Sequence, residues 1–339
     1  MAGAEPETLQ FSQTQDPISF RTKGRLEGGA KVRAMIRATL IALSQNARAK
    51  RFVLSNGLAR RTARRFVAGE ELDDAVAAAR AANDAGLKVS LDFLGENVAT
   101  REAAERAREM YLGIFERIAK EKLDANVSLK LTQLGMDFGE EFCREQILPI
   151  VKHAESLGNF LRMDMEGSAY TQRTVDMALG LRRKSAAVGT VIQSYLHRSE
   201  ADIRALVEAG CRVRLCKGAY LEPPEIAFAE KKDVDANYVK LMRLLLPSGV
   251  YHAMATHDPA MIAATKEFAA EQGIAKDKFE FQMLYGIRPD LQRELIREGY
   301  RMRVYIPYGR DWFPYFMRRL AERPANLMFI ARNLFRRAG

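Results

Sequence analysis

The chain has 339 residues, 47% hydrophobic and 28% charged, so a barrel-type domain of about 250 residues with an extension fits as naturally as two smaller domains. Three cysteines (Cys143, Cys211, Cys216) without metal-type spacing, and four histidines with no HxH or HExxH pattern, speak against a disulfide framework and a zinc site and point to a reducing compartment. The formal net charge of +10 permits attraction to nucleic acid or to an anionic membrane, but no nucleic-acid motif accompanies it. No apolar run reaches the ~18 residues that span a bilayer, and there is no signal peptide.

Residues 1–24 are polar and aperiodic and read as a flexible arm. Residues 28–50 and 56–68 read as helices. EELDDAVAAARAANDAG (70–86) is a clearer one, with acidic residues crowding its first turn and Gly86 where a C-terminal cap belongs. The spacing then predicts eight strands, at 88–94, 126–131, 160–165, 188–193, 211–216, 251–256, 279–284 and 300–306. Amphipathic stretches separate them near 100–122, 140–157, 170–185, 199–209, 223–246, 259–272 and 288–298, with 312–322 after the eighth. Strands alternating with helices imply βαβ units, and eight of them imply a closed (β/α)₈ barrel of the TIM type. An open doubly wound sheet is the runner-up, but FLGENVAT after the first strand lacks the GxGxxG fingerprint. The domain division expected is an arm (1–24), N-terminal helices (25–86) and the barrel (87–339).

The C-terminal RVYIPYGRDWFPYFMRRLAERPAN (303–326) reads as a strand, a turn at Pro307 and Gly309, and a helix ended by Pro324. Arg318, Arg319 and Glu322 can share one face of that helix. Two adjacent arginines can form a planar fork for a small carboxylate, or simply a solvated basic face.

Chemistry in such barrels sits at the C-terminal ends of strands. That singles out Asp92, Glu96, Lys130, Asp164, Glu166, Gln193, Arg214, Lys217, Thr256, His257, Gln282 and Tyr305. Charges inside a strand are costly unless paired or used, which marks Lys130, Asp164 and Arg214 in particular. Lys130 is a third cation for a carboxylate or a Schiff-base nucleophile. In KGAY, Gly218 lets the backbone come close and Lys217 supplies charge, as in a phosphate-binding turn.

Together DMEGSAYT (164–171), VIQSYL (191–196), RLCKGAY (214–220), ATHD (255–258), FQMLYGI (281–287) and YIPYG…YFMRRLAERPAN (305–326) resemble the proline dehydrogenase family, from about residue 85 onward. The resemblance implies a distorted (β/α)₈ barrel with non-covalent FAD at the strand ends and the last helix over the barrel mouth. It implies that Lys130, Arg318 and Arg319 bind the proline carboxylate, that Tyr305 packs on the pyrrolidine ring, and that Tyr220 and Leu284 wall the pocket. Asp164 is expected beside Lys130 and the flavin, Arg214 at the N5 edge and Gln193 at the ring's polar edge. Lys217, Gly218, Ala219, Thr256 and His257 are expected along the ribityl and pyrophosphate parts, and Glu322 paired with an arginine. Leu221 stands where some relatives carry Trp, which leaves the adenine side open.

The implied reaction is oxidation of L-proline to Δ1-pyrroline-5-carboxylate by hydride transfer from C5 to flavin N5. A membrane quinone is the implied electron acceptor, and a separate pyrroline-5-carboxylate dehydrogenase takes the product of this monofunctional form. A cytoplasmic protein is expected, with peripheral inner-membrane contact left open: 48–65 and 326–337 are the candidate stretches, and each also reads as a core-facing helix stripe with a solvated basic side, the better reading for 326–337. Hydroxyproline as substrate, a Schiff-base lyase or aldolase using Lys130, and a nucleic-acid-binding module stand as alternatives.

Overall fold

The computed structural model describes residues 63–322, with side chains to residue 319. The expected helix at 28–50 and the stretch 326–337 lie outside the described residues. By contacts the chain divides into two compact units, Val53–Phe316 and one formed by Met1–Phe52 with Met317–Gly339. The first holds the barrel.

Eight parallel strands close on themselves in sequence order: β1 (Lys88–Phe93), β2 (Ala125–Leu129), β3 (Leu161–Met163), β4 (Val188–Gln193), β5 (Arg212–Cys216), β6 (His252–Ala255), β7 (Phe279–Leu284) and β8 (Arg301–Tyr308). Between them run α2 (Arg101–Lys120), α3 (Glu140–Ser156), α4 (Ser168–Arg182), α5 (Ser199–Glu208), α6 (Lys231–Leu245), α7 (Pro259–Glu271) and α8 (Pro289–Arg297). Helix α1 (Leu72–Asp84) precedes β1, and α9 (Trp312–Glu322) comes after β8. All eight expected strands are present.

Alternation along each strand sorts the residues. Val89 and Leu91 of β1 are fully buried in the apolar layer under the helices, while Ser90 points into the barrel and meets Ser128 of β2 at 3.1 Å. Helix α2 shows how the outer layer forms. Thr100 caps it by accepting from the Ala103 amide at 3.2 Å, and Ala104, Ala107, Tyr111, Ile114, Phe115 and Ile118 recur at helical spacing on its buried face. Truncating the fully buried Phe115 to alanine would cost about 3–5 kcal/mol. Helix α1 is closed by a reciprocal cap between Glu71 and Asp74, and Gly86 comes just after it at φ +79°, the left-handed turn expected there.

Three expectations need correction. The helix at 56–68 does not reach its expected end: residues 64–66 form a turn and 67–69 carry no regular structure. The backbone of that segment bonds instead to β8 and to the turn at Gly309, with Ala68 N donating to Pro307 O (2.9 Å) and Gly309 N to Gly69 O (2.9 Å). The helix expected from 223 begins only at Lys231, because Pro223 and Pro224 hold the preceding residues in an irregular loop. Pro307 does not turn the chain; β8 continues through it, paired with Asp92, and the break falls at Gly309, φ +117°. No helix among the described residues is long and apolar enough to cross a membrane.

Candidate active site

The interior of the barrel is polar. Arg214 on β5 reaches across it to strands that are not its neighbours. Its Nη1 donates to Asp164 Oδ1 (2.7 Å) after β3, its Nη2 to Ser128 Oγ (2.9 Å) on β2 and Ser90 Oγ (3.4 Å) on β1, and its Nε to Gln282 Oε1 (2.5 Å) on β7. The guanidinium also lies over the Tyr305 ring, 5.2 Å from its centroid. Tyr305, on β8, donates its hydroxyl to Asp164 Oδ2 at 2.7 Å. Burial and the neighbouring carboxylates of Asp164 and Asp92 keep that phenol well above its usual range, so it donates and does not ionise.

Lys130 comes directly after β2 and is almost wholly buried. Its carboxylate contacts are Asp92 at 3.5 Å and Glu96 at 3.9 Å. Burial alone would pull its ammonium down. Asp92, Glu96 and Asp164 together outweigh that and hold it above its usual value. Asp164 acts on Lys130 through its charge while making its hydrogen bonds to Arg214 and Tyr305, and Asp92 makes the nearest ion pair with the lysine. Burial raises the Asp92 carboxyl, and its Oδ2 has no hydrogen-bond partner among the described residues.

Gln193 ends β4. Its Nε2 donates to Glu166 O (2.9 Å), leaving a buried Oε1 without a partner among the described residues. Glu166 accepts from the Thr132 amide (3.2 Å) and hydroxyl (2.7 Å), yet burial pushes its carboxyl up to about 7.

The turn after β5 carries Lys217, Gly218, Ala219 and Tyr220. Gly218 sits at φ +119°, and a Cβ there would meet the Tyr195 ring at 2.3 Å, so only glycine fits. Lys217 brings its own counter-charges: it bonds Asp258 at 2.6 Å and also Asp235, and Lys231 contacts the same two carboxylates. Burial pushes the Asp258 carboxyl up, but Lys217 and the Ala260 amide prevail and hold it at about 2. Glu222 pins the same turn by accepting from Ser168 N (2.7 Å) and Oγ (2.6 Å) at the start of α4. Thr256 is buried and His257 half-buried after β6, where His257 Nε2 accepts the Leu284 amide proton at 2.9 Å. Tyr220 and Leu284 are half-buried.

Lys130, Asp164, Gln193, Arg214, Lys217, Gly218, Thr256, His257 and Tyr305 thus lie in or just after barrel strands. Arg318 and Arg319, both half-buried, come later on α9 and belong to the other compact unit, and the Glu322 side chain lies outside the described residues. The resemblance did not assign Asp92, Glu96 or Gln282, although their place at strand ends marked them. Ser90, Ser128 and Glu222 gave no signal: two serines in apolar strands and one acid in a loop look unremarkable until the barrel closes.

The proline dehydrogenase family model matches residues 75–332. Proline dehydrogenase 1 of Bacillus subtilis (strain 168) is 42% identical over 303 residues, which are 89% of this chain and 100% of that protein. Proline dehydrogenase 2 of the same organism is 45% identical over 265 residues, 78% of this chain and 88% of its own. Among solved structures, proline utilization A (PutA) from Bdellovibrio bacteriovorus, inactivated by N-propargylglycine, is similar with a TM-score of 0.74 at 27% identity, over 77% of this chain and 32% of that longer one. A family model that spans the whole barrel, and relatives above 40% identity matched along nearly all their length, place this chain in the proline dehydrogenase family.

Proposed function

We propose that the protein oxidises L-proline to Δ1-pyrroline-5-carboxylate with non-covalently bound FAD, the first step of proline catabolism. The observation that carries this reading is the Tyr305–Asp164–Arg214 chain at the strand ends, with the charged Lys130 beside it. Two features suit a flavin. The partnerless Oε1 of Gln193 is a buried acceptor for a ring N–H, and Gly218, at φ +119° and packed on the Tyr195 ring, shapes the turn that carries Lys217. Gln193, Arg214 and Asp164 would hold the ring, and Lys217, Gly218, Ala219, Thr256 and His257 the ribityl and pyrophosphate parts.

When bound, the flavin supplies the acceptor for the hydride that leaves proline C5. The side chains supply position and field. Lys130, kept protonated by Asp92 and Glu96, binds the substrate carboxylate. Tyr305 packs on the pyrrolidine ring and keeps Asp164 oriented, with Tyr220 and Leu284 as walls. Arg214 presents a fixed positive charge where negative charge collects. A lysine held in its ammonium form is no nucleophile, which weighs against the Schiff-base alternative.

Electrons are proposed to pass to a membrane quinone through peripheral contact, and the product to a separate pyrroline-5-carboxylate dehydrogenase. Flotation with liposomes, with and without anionic lipid, tests the membrane contact; no flotation in either removes it. The central test is an absorbance spectrum before and after anaerobic L-proline. Flavin bands that bleach support the reading. Bands that persist redirect it to hydroxyproline or another amino acid, and folded protein that takes up no FAD overturns it.

A further inference from the structure

We propose that Glu280 is a positioning residue for Arg214, acting through the amide of Gln282. The inference rests on the reading of Arg214 as a flavin-side group.

Gln282 is held at both ends. Its Oε1 accepts from Arg214 Nε at 2.5 Å, and its Nε2 donates to Glu280 Oε1 at 2.5 Å. A guanidinium can only donate and an ionised carboxylate can only accept, so the amide has one permitted orientation. Flipping it would set N–H against N–H at one end and oxygen against oxygen at the other. Glu280 is the fixed point of this connector. Arg303 grips it with Nε (2.7 Å) and Nη2 (3.0 Å) while donating Nη1 to Val89 O (2.6 Å), and the Tyr251 hydroxyl donates to Oε2 (3.0 Å). Burial pushes the Glu280 carboxyl up, but Arg303 and Gln282 hold it down at about 2, so it stays an acceptor throughout the working range.

A buried ion pair is weak as a stabilising device, since a well-packed apolar pair often serves as well. Glu280 is 1% exposed and has no place in the outer layer that holds the barrel together. What the pair adds is a directed hydrogen bond one step further up β7. Gln282 turns that bond into a lateral tether on Arg214, opposite the Asp164 and serine contacts. Four strands, β1, β2, β7 and the end of β3, then fix one guanidinium plane.

The test uses the FAD-loaded full chain in three variants: Glu280→Gln, Gln282→Leu and the double. Gln282→Leu keeps the Glu280–Arg303 pair and cuts only the tether. The expected result is a more negative midpoint potential of the bound flavin in both single variants. The kcat with L-proline should fall roughly 10- to 100-fold, KM should stay within about twofold, and the double variant should be no worse than the worse single one. Unchanged potential and kcat in Gln282→Leu overturn the proposal, as do additive losses in the double. Should Glu280→Gln fail to fold, Gln282→Leu decides alone. Wild-type flavin that L-proline does not bleach redirects the functional reading to another substrate instead, and is seen before any variant is made.

Discussion

The hydroxyl of Tyr305 donates to Asp164 Oδ2 at 2.7 Å, across the barrel mouth from β8 to the end of β3. Asp164 Oδ1 is taken by Arg214 at the same distance, so one carboxylate orders a phenol and a guanidinium together. Removing the phenol hydroxyl leaves a buried, charged oxygen short of a donor, at about 1–3 kcal/mol. Tyr305→Phe should therefore lower kcat/KM for L-proline by roughly tenfold and change the ratio of the proline and hydroxyproline specificities. Steady-state kinetics on both imino acids would check it; an unchanged ratio shows that the hydroxyl does not discriminate.

Lys130 bears on pH dependence. Because Asp92 and Glu96 keep its ammonium charged across the neutral range, its own titration contributes no pH dependence there. The proton that must leave is the one on the substrate nitrogen, since a protonated amine cannot expel hydride. Activity should rise with pH through neutrality, read as kcat/KM between about pH 6 and 9, a range that spans the neutral region on both sides. A flat profile contradicts it.

Gly218 offers a sharp packing test. A methyl group there meets the Tyr195 ring at 2.3 Å on a backbone at φ +119°. Gly218→Ala should distort the turn carrying Lys217 and Ala219 and release FAD, while the barrel, whose core lies elsewhere, keeps its fold. Flavin content by absorbance, against far-UV circular dichroism, separates the two. Full flavin content removes the turn from the cofactor site.

His252 sets an acid limit on stability. Its Nδ1 accepts the Val213 amide (3.0 Å) and its Nε2 pairs with Ser248 Oγ (2.9 Å), in a fully buried site. Burial, with Arg162 and Arg212 nearby, lowers it to about 3. The unfolded chain takes up the proton near pH 6.5 and the folded chain only near 3, so stability is lost as pH falls through that window. Between about pH 6.5 and 4.5 the loss from this one residue is about 2 kcal/mol. Urea midpoints at both pH values should fall further in the wild type than in His252→Gln; equal drops would place the acid sensitivity elsewhere.

The eight strands were legible because each is buried on both faces and so reads as a short apolar run bounded by turn residues. The run at 223–230 shows the limit. Its charge pattern continues the helix after it, and only the two prolines argue otherwise. Pro307 misled in the opposite sense, because a proline within a strand is compatible with pairing where its missing donor is not required. Among the site residues, Lys130, Asp164 and Arg214 stood out as charges in apolar strands. Their pairing did not, because which carboxylate meets Lys130 depends on barrel register: Asp92 sits opposite Ser128 across the β1–β2 ladder. Arg303 and Glu280 lie in predicted strands too but were not singled out, since nothing in a linear chain tells the axis of a barrel from its rim.

The ring of strands also governs the order of events during synthesis. Arg303 Nη1 and Val89 O, joined across the β1–β8 seam, are 214 residues apart in the chain. At translation rates of about 5–20 residues per second, roughly 10–40 s separate the emergence of the two strands. Through that interval β1 keeps one ladder edge unpaired, and Glu280, once made, waits for the arginine that neutralises it. The nascent chain therefore passes through an open, edge-bearing sheet before it becomes a ring. Its most vulnerable moment falls just before the eighth strand arrives, so a chain stopped short of β8 would be a substrate for chaperones and proteases.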